Sequence, residues 1–184
     1  MREDMKKQIA DTFSGLLEKE NIDKITVTRL IEECHISRQT FYYHFHDIMD
    51  VLQWSFTQAA QEMAAHSLEM EDRKDVLRLF ITFIEQHRKK LERLLYSKNW
   101  VQIEQILVDA LTVYLRQMIR GEASDIMVNY DDMEVLLRFF ACGLSGVLLQ
   151  YGRESHVNEE KLIRQLEKII TGEMFPGKRK EDSD

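Results

Sequence analysis

Proline and glycine are scarce in this chain. Its 184 residues include 1 proline and 7 glycines, against roughly nine and thirteen at average usage of about 5% and 7%. Residues 16–120 contain neither. A β-rich fold needs turn residues every 8–12 positions or so, and that supply is missing here. The scarcity therefore predicts an all-α protein. Cysteine is scarce as well. Cys34 and Cys142 are the 2 in the chain, too few for a disulfide scaffold and in keeping with a reducing cytoplasm. Long apolar runs are missing too. The longest stretch without charge is 139–152, too short for a membrane span of about 20 residues, so it reads as a buried helix. The first residues alternate charged and apolar, which excludes a secretion signal. Positive charge is also in deficit: 25 basic against 32 acidic residues give a net charge of −7. In bulk, that balance argues against a nucleic-acid partner.

What is present is helical periodicity. Met5, Ile9, Phe13, Leu16 and Leu17 recur at helical spacing, so residues 4–20 read as an amphipathic helix. Gly15 sits inside it at a cost of about 1 kcal/mol against alanine. After a polar break at 21–25, residues 25–28 are compatible with a β-branched strand. A helix start with Thr26 as N-cap is preferred, because Val27, Leu30, Ile31 and Cys34 continue at i, i+3, i+4, i+7. Ser37 is a good cap for a short helix over 38–45, with Phe41 and Phe45 stacked on its inner face. Asp47 can cap the next helix, to about residue 66, with Ile48, Val51, Leu52, Ala59 and Met63 inward. Further helices are expected at 72–86, 88–96, 100–120, from Asp131 or Asp132 to 152, and after Asn158. A loop is expected at 121–130 and a solvated tail at the end. The expected total is nine helices.

The segment 26–45 has the spacing of a helix–turn–helix, whose second helix enters the major groove of DNA. Its outward residues would be Arg38, Gln39, Thr40, Tyr42, Tyr43 and His44, which suit phosphate and base contact. Residues 34–46 contain no acid, although the chain is acidic; four of these thirteen positions are Arg or His. The net charge of residues 1–47 is −2, from 7 basic and 9 acidic side chains. The acidic excess thus lies outside this face.

The run Ser37-Arg38-Gln39-Thr40-Phe41-Tyr42-Tyr43-His44-Phe45, preceded by Thr26–Ile36 and followed by His46-Asp47-Ile48-Met49-Asp50-Val51-Leu52, resembles the DNA-binding signature of TetR-type transcriptional regulators. The close match covers about residues 8–52; beyond it, the likeness is one of architecture. The variant around Phe41–His44, with the block at 139–152, is similar to the branch that includes dihydroxyacetone-kinase regulators. The resemblance implies a two-domain frame. A helix–turn–helix domain would span 1–46, an effector-binding and dimerisation domain 47–176, and a flexible tail 177–184. It implies that Arg38, Gln39 and Thr40 reach base edges or adjacent phosphates, with Arg38 suited to guanine and Gln39 to adenine. Tyr42, His44 and Thr28 match phosphate-binding positions. Two departures stand out. The family usually has Ala-Gly in the turn, where this chain has Cys34-His35. A lysine at the start of the fourth helix is replaced by Ile48.

The resemblance also implies an apolar effector cavity in the second half. His87, Tyr96, Trp100, Tyr114 and Met118 are the candidates to line it, and aromatics with flexible methionines suit an adaptable pocket. Phe140, Leu144, Val147 and Leu148, with Leu162, Leu166 and Ile169, form apolar stripes expected to build a two-fold dimer of four helices. Two reading heads about 34–36 Å apart match a palindromic operator. No metal site is expected, because Cys34, His35, His44 and His46 lack the spacing of paired ligands. No cofactor is expected, and no catalytic constellation is present: the pairs Glu32/Glu33 and Asp131/Asp132 are adjacent and do not face each other. The expected partners are double-stranded DNA, a small-molecule effector and a second copy, with no membrane. The alternative, motivated by the acidic total and Ile48, is a regulator-like protein that dimerises and binds a protein partner without reading DNA.

Overall fold

A computed structural model of the chain describes residues 2–122, 129–153, 158–171 and 173. The described residues form nine α-helices and one 3-10 turn, with no strand among them. Helix α1 (Arg2–Leu17) buries Ile9, Ala10, Phe13, Leu16 and Leu17 along one stripe, the pattern its periodicity predicts. The 21–25 break is partly ordered as the 3-10 turn Ile22–Lys24, capped by the Asn21 side chain. Helices α2 (Val27–Cys34) and α3 (Arg38–His44) start where expected. The side chains of Thr26 and Ser37 accept from the backbone N–H of Arg29 and Thr40. Asp47 caps α4 (Ile48–Leu68) in the same way.

The second half continues with α5 (Arg73–Gln86), α6 (Arg88–Leu95), α7 (Trp100–Glu122), α8 (Tyr130–Arg153) and α9 (Glu159–Ile170). Two expectations are corrected here. Gly121 is helical, at the end of α7, rather than in a loop. The start of α8 is Tyr130, not Asp131 or Asp132, because Asn129 is the capping residue: its Oδ1 accepts from the Asp132 N–H at 2.8 Å. Asn158 caps α9 as expected. The expected tail at 177–184 lies outside the described residues.

Three apolar clusters hold the helices. The first joins α1–α3 to Val51 and Leu52 of α4, and also takes Leu94 from α6 and Ile103 and Ile106 from α7. The α1–α3 unit is therefore not closed by its own residues; later helices complete its core. The second cluster packs Ala60, Met63 and Ala64 of α4 on Val108, Ala110, Leu111 and Tyr114 of α7, with Phe80 and Ala141. Helix α4 buries Val51, Leu52 and Met63 as expected, and adds Ala60 and Ala64, while Ala59 is half-buried. Helices α4 and α7, of 21 and 23 residues, run through both clusters. Roughly 30 Å of each, at 1.5 Å per residue, is the rigid link between the two ends. The third cluster seats Leu162, Ile163 and Leu166 of α9 on Leu77 and Ile81 of α5.

Candidate nucleic-acid interface and the cavities behind it

The turn between α2 and α3 sets the angle of the outward face. His35 has φ 54° and ψ 41°, the one positive φ among the described non-glycine residues. Its N–H reaches the Glu32 carbonyl at 3.2 Å and the Ile36 N–H reaches the Ile31 carbonyl at 3.2 Å, the paired bonds of a Schellman motif. His35 thus occupies, without glycine's freedom, the left-handed conformation at the position where the family pattern has glycine; histidine is among the residues enriched there. Cys34, beside it, is buried. Burial pushes its thiol up from its ordinary range, which leaves it a small core residue.

Helix α3 is pinned from below by Phe41 and Phe45, both fully buried, with ring centroids 6.1 Å apart. Trp54 meets the Phe45 ring edge-on at 6.1 Å. With these rings inside, Arg38, Gln39, Tyr42 and Tyr43 stand exposed, and Thr40 and His44 are half-buried. Thr40 is partly committed to the cap, since its Oγ1 lies 2.8 Å from the Ser37 Oγ. Arg38 Nη2 donates to Thr28 Oγ1 at 2.9 Å. The two residues, on different helices, thus form one polar unit on the exposed face. Ile48 is half-buried against the first cluster, a packing role where the family pattern has lysine.

The structure adds cations that the helix–turn–helix pattern did not single out. Lys6 and Lys7 of α1 border the same surface groove as Tyr43 and His44, together with Asp4 and Glu62. The Lys6 ammonium lies 5.3 Å from the centre of the Phe45 ring, a favourable cation–π position. Arg29 points elsewhere and pairs with Glu20 at 2.7 Å. His46 pairs with Asp50 at 3.0 Å. The amphipathic spacing of α1 signalled that Lys6 and Lys7 are outward, but not which element they would flank.

Three solved structures are similar to this chain over nearly its whole length. One is the dihydroxyacetone kinase operon activator DhaS, at TM-score 0.61 and 19% identity, covering 92% of this chain and 95% of its own. A second is a tetR-family transcriptional regulator from Streptomyces coelicolor, at TM-score 0.63 and 15% identity, covering 94% and 81%. A third is the TetR family repressor AlkX from Dietzia sp. strain DQ12-45-1b, at TM-score 0.53 and 14% identity, covering 92% and 94%. The chain has the fold of TetR-family transcriptional regulators. No family model and no curated protein matches its sequence.

Within this TetR fold, two cavities lie beyond the α1–α3 unit. The first, about 80 Å³, is walled by apolar side chains of α4–α8, among them Phe56, Met63, Phe83, Leu91 and Leu111. The second, about 600 Å³, opens between the ends of α4, α7 and α9 and the start of α5. Phe80 and Tyr114 line both, with ring centroids 5.7 Å apart. Tyr114 and Met118, two of the expected effector contacts, lie here. Burial raises the Tyr114 phenol above its ordinary value, only partly offset by the bond to Ser67. The other three are placed differently. His87 is stacked on Phe83 at 4.2 Å and its Nδ1 is 2.8 Å from the Phe83 carbonyl oxygen. Trp100 packs on the first cluster. Tyr96 is 72% exposed and lines neither cavity, because it follows the last residue of α6 and turns away from the bundle.

Helix α6 touches both the smaller cavity and α1. Leu91 and Leu95 line the smaller cavity. On the opposite side Lys90 donates to Ser14 Oγ at 2.7 Å and pairs with Glu18 at 2.9 Å. Arg93 donates to the Leu17 carbonyl at 2.7 Å. The Lys90 ammonium holds the Glu18 carboxyl below its ordinary range.

The expected dimer stripes are also redistributed. Leu162 and Leu166 are buried on α5, and Leu144 and Val147 pack against the same cluster; their apolar surface is already satisfied within the chain. Phe140 is half-buried, Ile169 is exposed, and the Leu148 side chain lies outside the described residues. The uncovered face of α8 is instead Val135 and Phe139, each 70% exposed, with Cys142, Gly143 and Gly146 on the same side. These positions recur at i, i+4, i+7, i+8 and i+11, one helical stripe.

Proposed function

We propose that this chain is a homodimeric, ligand-responsive DNA-binding transcription regulator of the cytoplasm. It would read a palindromic operator through Arg38–His44. The observation that carries the reading is α3 itself. Two buried phenylalanines hold it rigid, and its outer face presents Arg38, Gln39, Tyr42 and Tyr43 with no acidic residue among 35–45. Arg38 and Gln39 supply base-reading groups. Thr28, Thr40, Tyr42, Tyr43 and His44 would contact phosphates, which set register, and Lys6 and Lys7 add charge beside them. The reading head is proposed as residues 1–46 and the effector and dimerisation part as 47–176.

A second copy is proposed to cover the α8 face. Val135 and Phe139 are large and exposed, while the glycines have open space around them and admit a close helix. One head with a single arginine on its face binds weakly; two heads about one DNA turn apart bind together. Ligand response would run through α6, which shares residues with the cavity wall and with the clamp on α1. A ligand shifts DNA affinity only if it favours one α6 position over another. Repression is the proposed sign of control and activation the alternative; of the similar structures, one is an operon activator and one a repressor.

The test is selection of bound fragments from a genomic library, followed by footprinting. The expected result is a protected palindrome with half-sites one turn apart. A correctly folded dimer that protects no site at moderate salt overturns the reading and favours a protein partner instead.

A further inference from the structure

Tyr114 and Ser67 form a buried hydroxyl pair on the wall between the two cavities. They are 6% and 1% exposed, and their oxygens lie 3.0 Å apart. Each hydroxyl can donate once, and one donation suffices for the bond between them. Neither has another hydrogen-bond partner among the described residues, so the pair retains one O–H with no acceptor.

The surroundings say what kind of acceptor it suits. Both residues line the larger cavity. The rest of its inner wall is Val76, Leu77, Phe80, Leu115 and Met118, and behind Phe80 and Tyr114 the smaller cavity is apolar throughout. The charged residues of the larger cavity, Glu71, Arg73 and Glu167, are exposed or half-exposed. Glu167 already faces Lys74 at 3.7 Å. No cation therefore backs the hydroxyl pair, and a carboxylate placed there would lose its water without gaining a counter-charge. An ammonium placed there would likewise lose its water without gaining an opposite charge.

We infer that the ligand is an uncharged, chain-like lipophile with one acceptor oxygen, a hydroxyl or a carbonyl. Its oxygen accepts from the Tyr114–Ser67 pair, and its hydrocarbon lies along Leu77, Leu115 and Met118. One end presses on Phe80 toward the smaller cavity. This rests on the ligand-response reading for its biological meaning, but not for its chemistry.

The test uses the full-length protein with four probes of equal chain length: octane, octanol, octanoate and octylamine. Binding is read by calorimetry, and operator binding is measured separately with each probe. Octanol is expected to bind at least tenfold tighter than octane, octanoate and octylamine. Tyr114→Phe combined with Ser67→Ala is expected to abolish the octanol-over-octane preference, with octane binding and the helical spectrum unchanged, whereas either substitution alone leaves one O–H to donate and keeps the preference. Should the double variant fail to fold, the octanol-over-octane ratio of the unaltered protein carries the test. Equal binding of octane and octanol overturns the hydroxyl assignment. Tightest binding of octanoate or octylamine overturns the neutral class, and no binding of any probe overturns the site. Octanol that binds as expected without altering operator affinity upholds the ligand class and defeats the ligand-response reading instead.

Discussion

Arg38 Nη2 donates to Thr28 Oγ1 at 2.9 Å, across ten residues and the turn between two helices. Both side chains are exposed, so water competes for the bond and it adds little to stability. Its consequence is geometric. A guanidinium tethered at one nitrogen presents the others in a fixed direction, which lowers the entropy lost when they meet a base edge or a phosphate.

Arg38→Ala should weaken operator binding by about 1–3 kcal/mol and relax preference at one position per half-site. Thr28→Val removes the tether and leaves the shape. It should cost less alone, and the double variant should lose less than the sum of the two, because coupled residues are non-additive. Titration of all three against operator and scrambled DNA reads the cycle. Equal loss on both DNAs would assign Arg38 to phosphate only.

Backbone geometry makes two opposite predictions for glycine. At His35, φ is 54°. A left-handed residue with a side chain costs about 1–2 kcal/mol, offset by the greater freedom glycine loses on folding. His35→Gly should therefore stabilise the protein by about 0.5–1 kcal/mol. At Gly15, inside α1, an added Cβ meets nothing within 4 Å. Gly15→Ala should stabilise by a similar amount, about 0.5–1 kcal/mol. Urea melts check both, and a lower midpoint for His35→Gly would show that the turn adopts another conformation in solution.

Asp23 links the 3-10 turn to the start of α7. Ser97 Oγ donates to its Oδ1 at 2.6 Å and the Lys98 N–H to its Oδ2 at 2.9 Å. Desolvation alone would raise the carboxyl, but these two donors outweigh it and hold its pKa below the ordinary value. The folded value is thus lower than the unfolded one, which is about 3.9. The contribution is fully present above that unfolded value and is lost as pH falls through the folded one. Asp23→Asn should cost about 1 kcal/mol at neutral pH, since the site is open to solvent. The gap between variant and parent should narrow in melts below about pH 4. A gap independent of pH would remove Asp23's charge from the account.

Phe139→Glu should convert the proposed dimer to a monomer without loss of helix. Phe139 is 70% exposed within one chain, so folding does not depend on it, whereas an interface would bury the new charge. Sedimentation reads the mass, and operator affinity should fall with it. A dimeric variant would move the interface off this face of α8.

The helix starts were legible because each is a local event. Thr26, Ser37, Asp47 and Asn158 satisfy an N–H two or three residues away within their own segments, and nothing distant can change that. The outward face of α3 was legible for a related reason. Phe41 and Phe45 have one face to share, and whatever it packs against, Arg38, Gln39 and Tyr42 must point away. The start of α8 was less so, because Asn129, Asp131 and Asp132 are all competent caps and the choice depends on how the preceding chain arrives.

Composition and periodicity were enough to establish a helical chain with a positively biased, acid-free second helix, since scarcity of turn residues and 3.6-residue spacing act within single segments. Which apolar stripe faces which neighbour was settled only by packing. Leu162 and Leu166 look equally suited to a partner chain or to α5, and the structure seats them on α5. Tyr96 and Tyr114 are both aromatic positions near helix ends or middles. The one stands in solvent, and the other is buried against a serine 47 residues away. Apolar burial is non-directional and blind to sequence distance, so periodicity marks a face as apolar without naming what covers it.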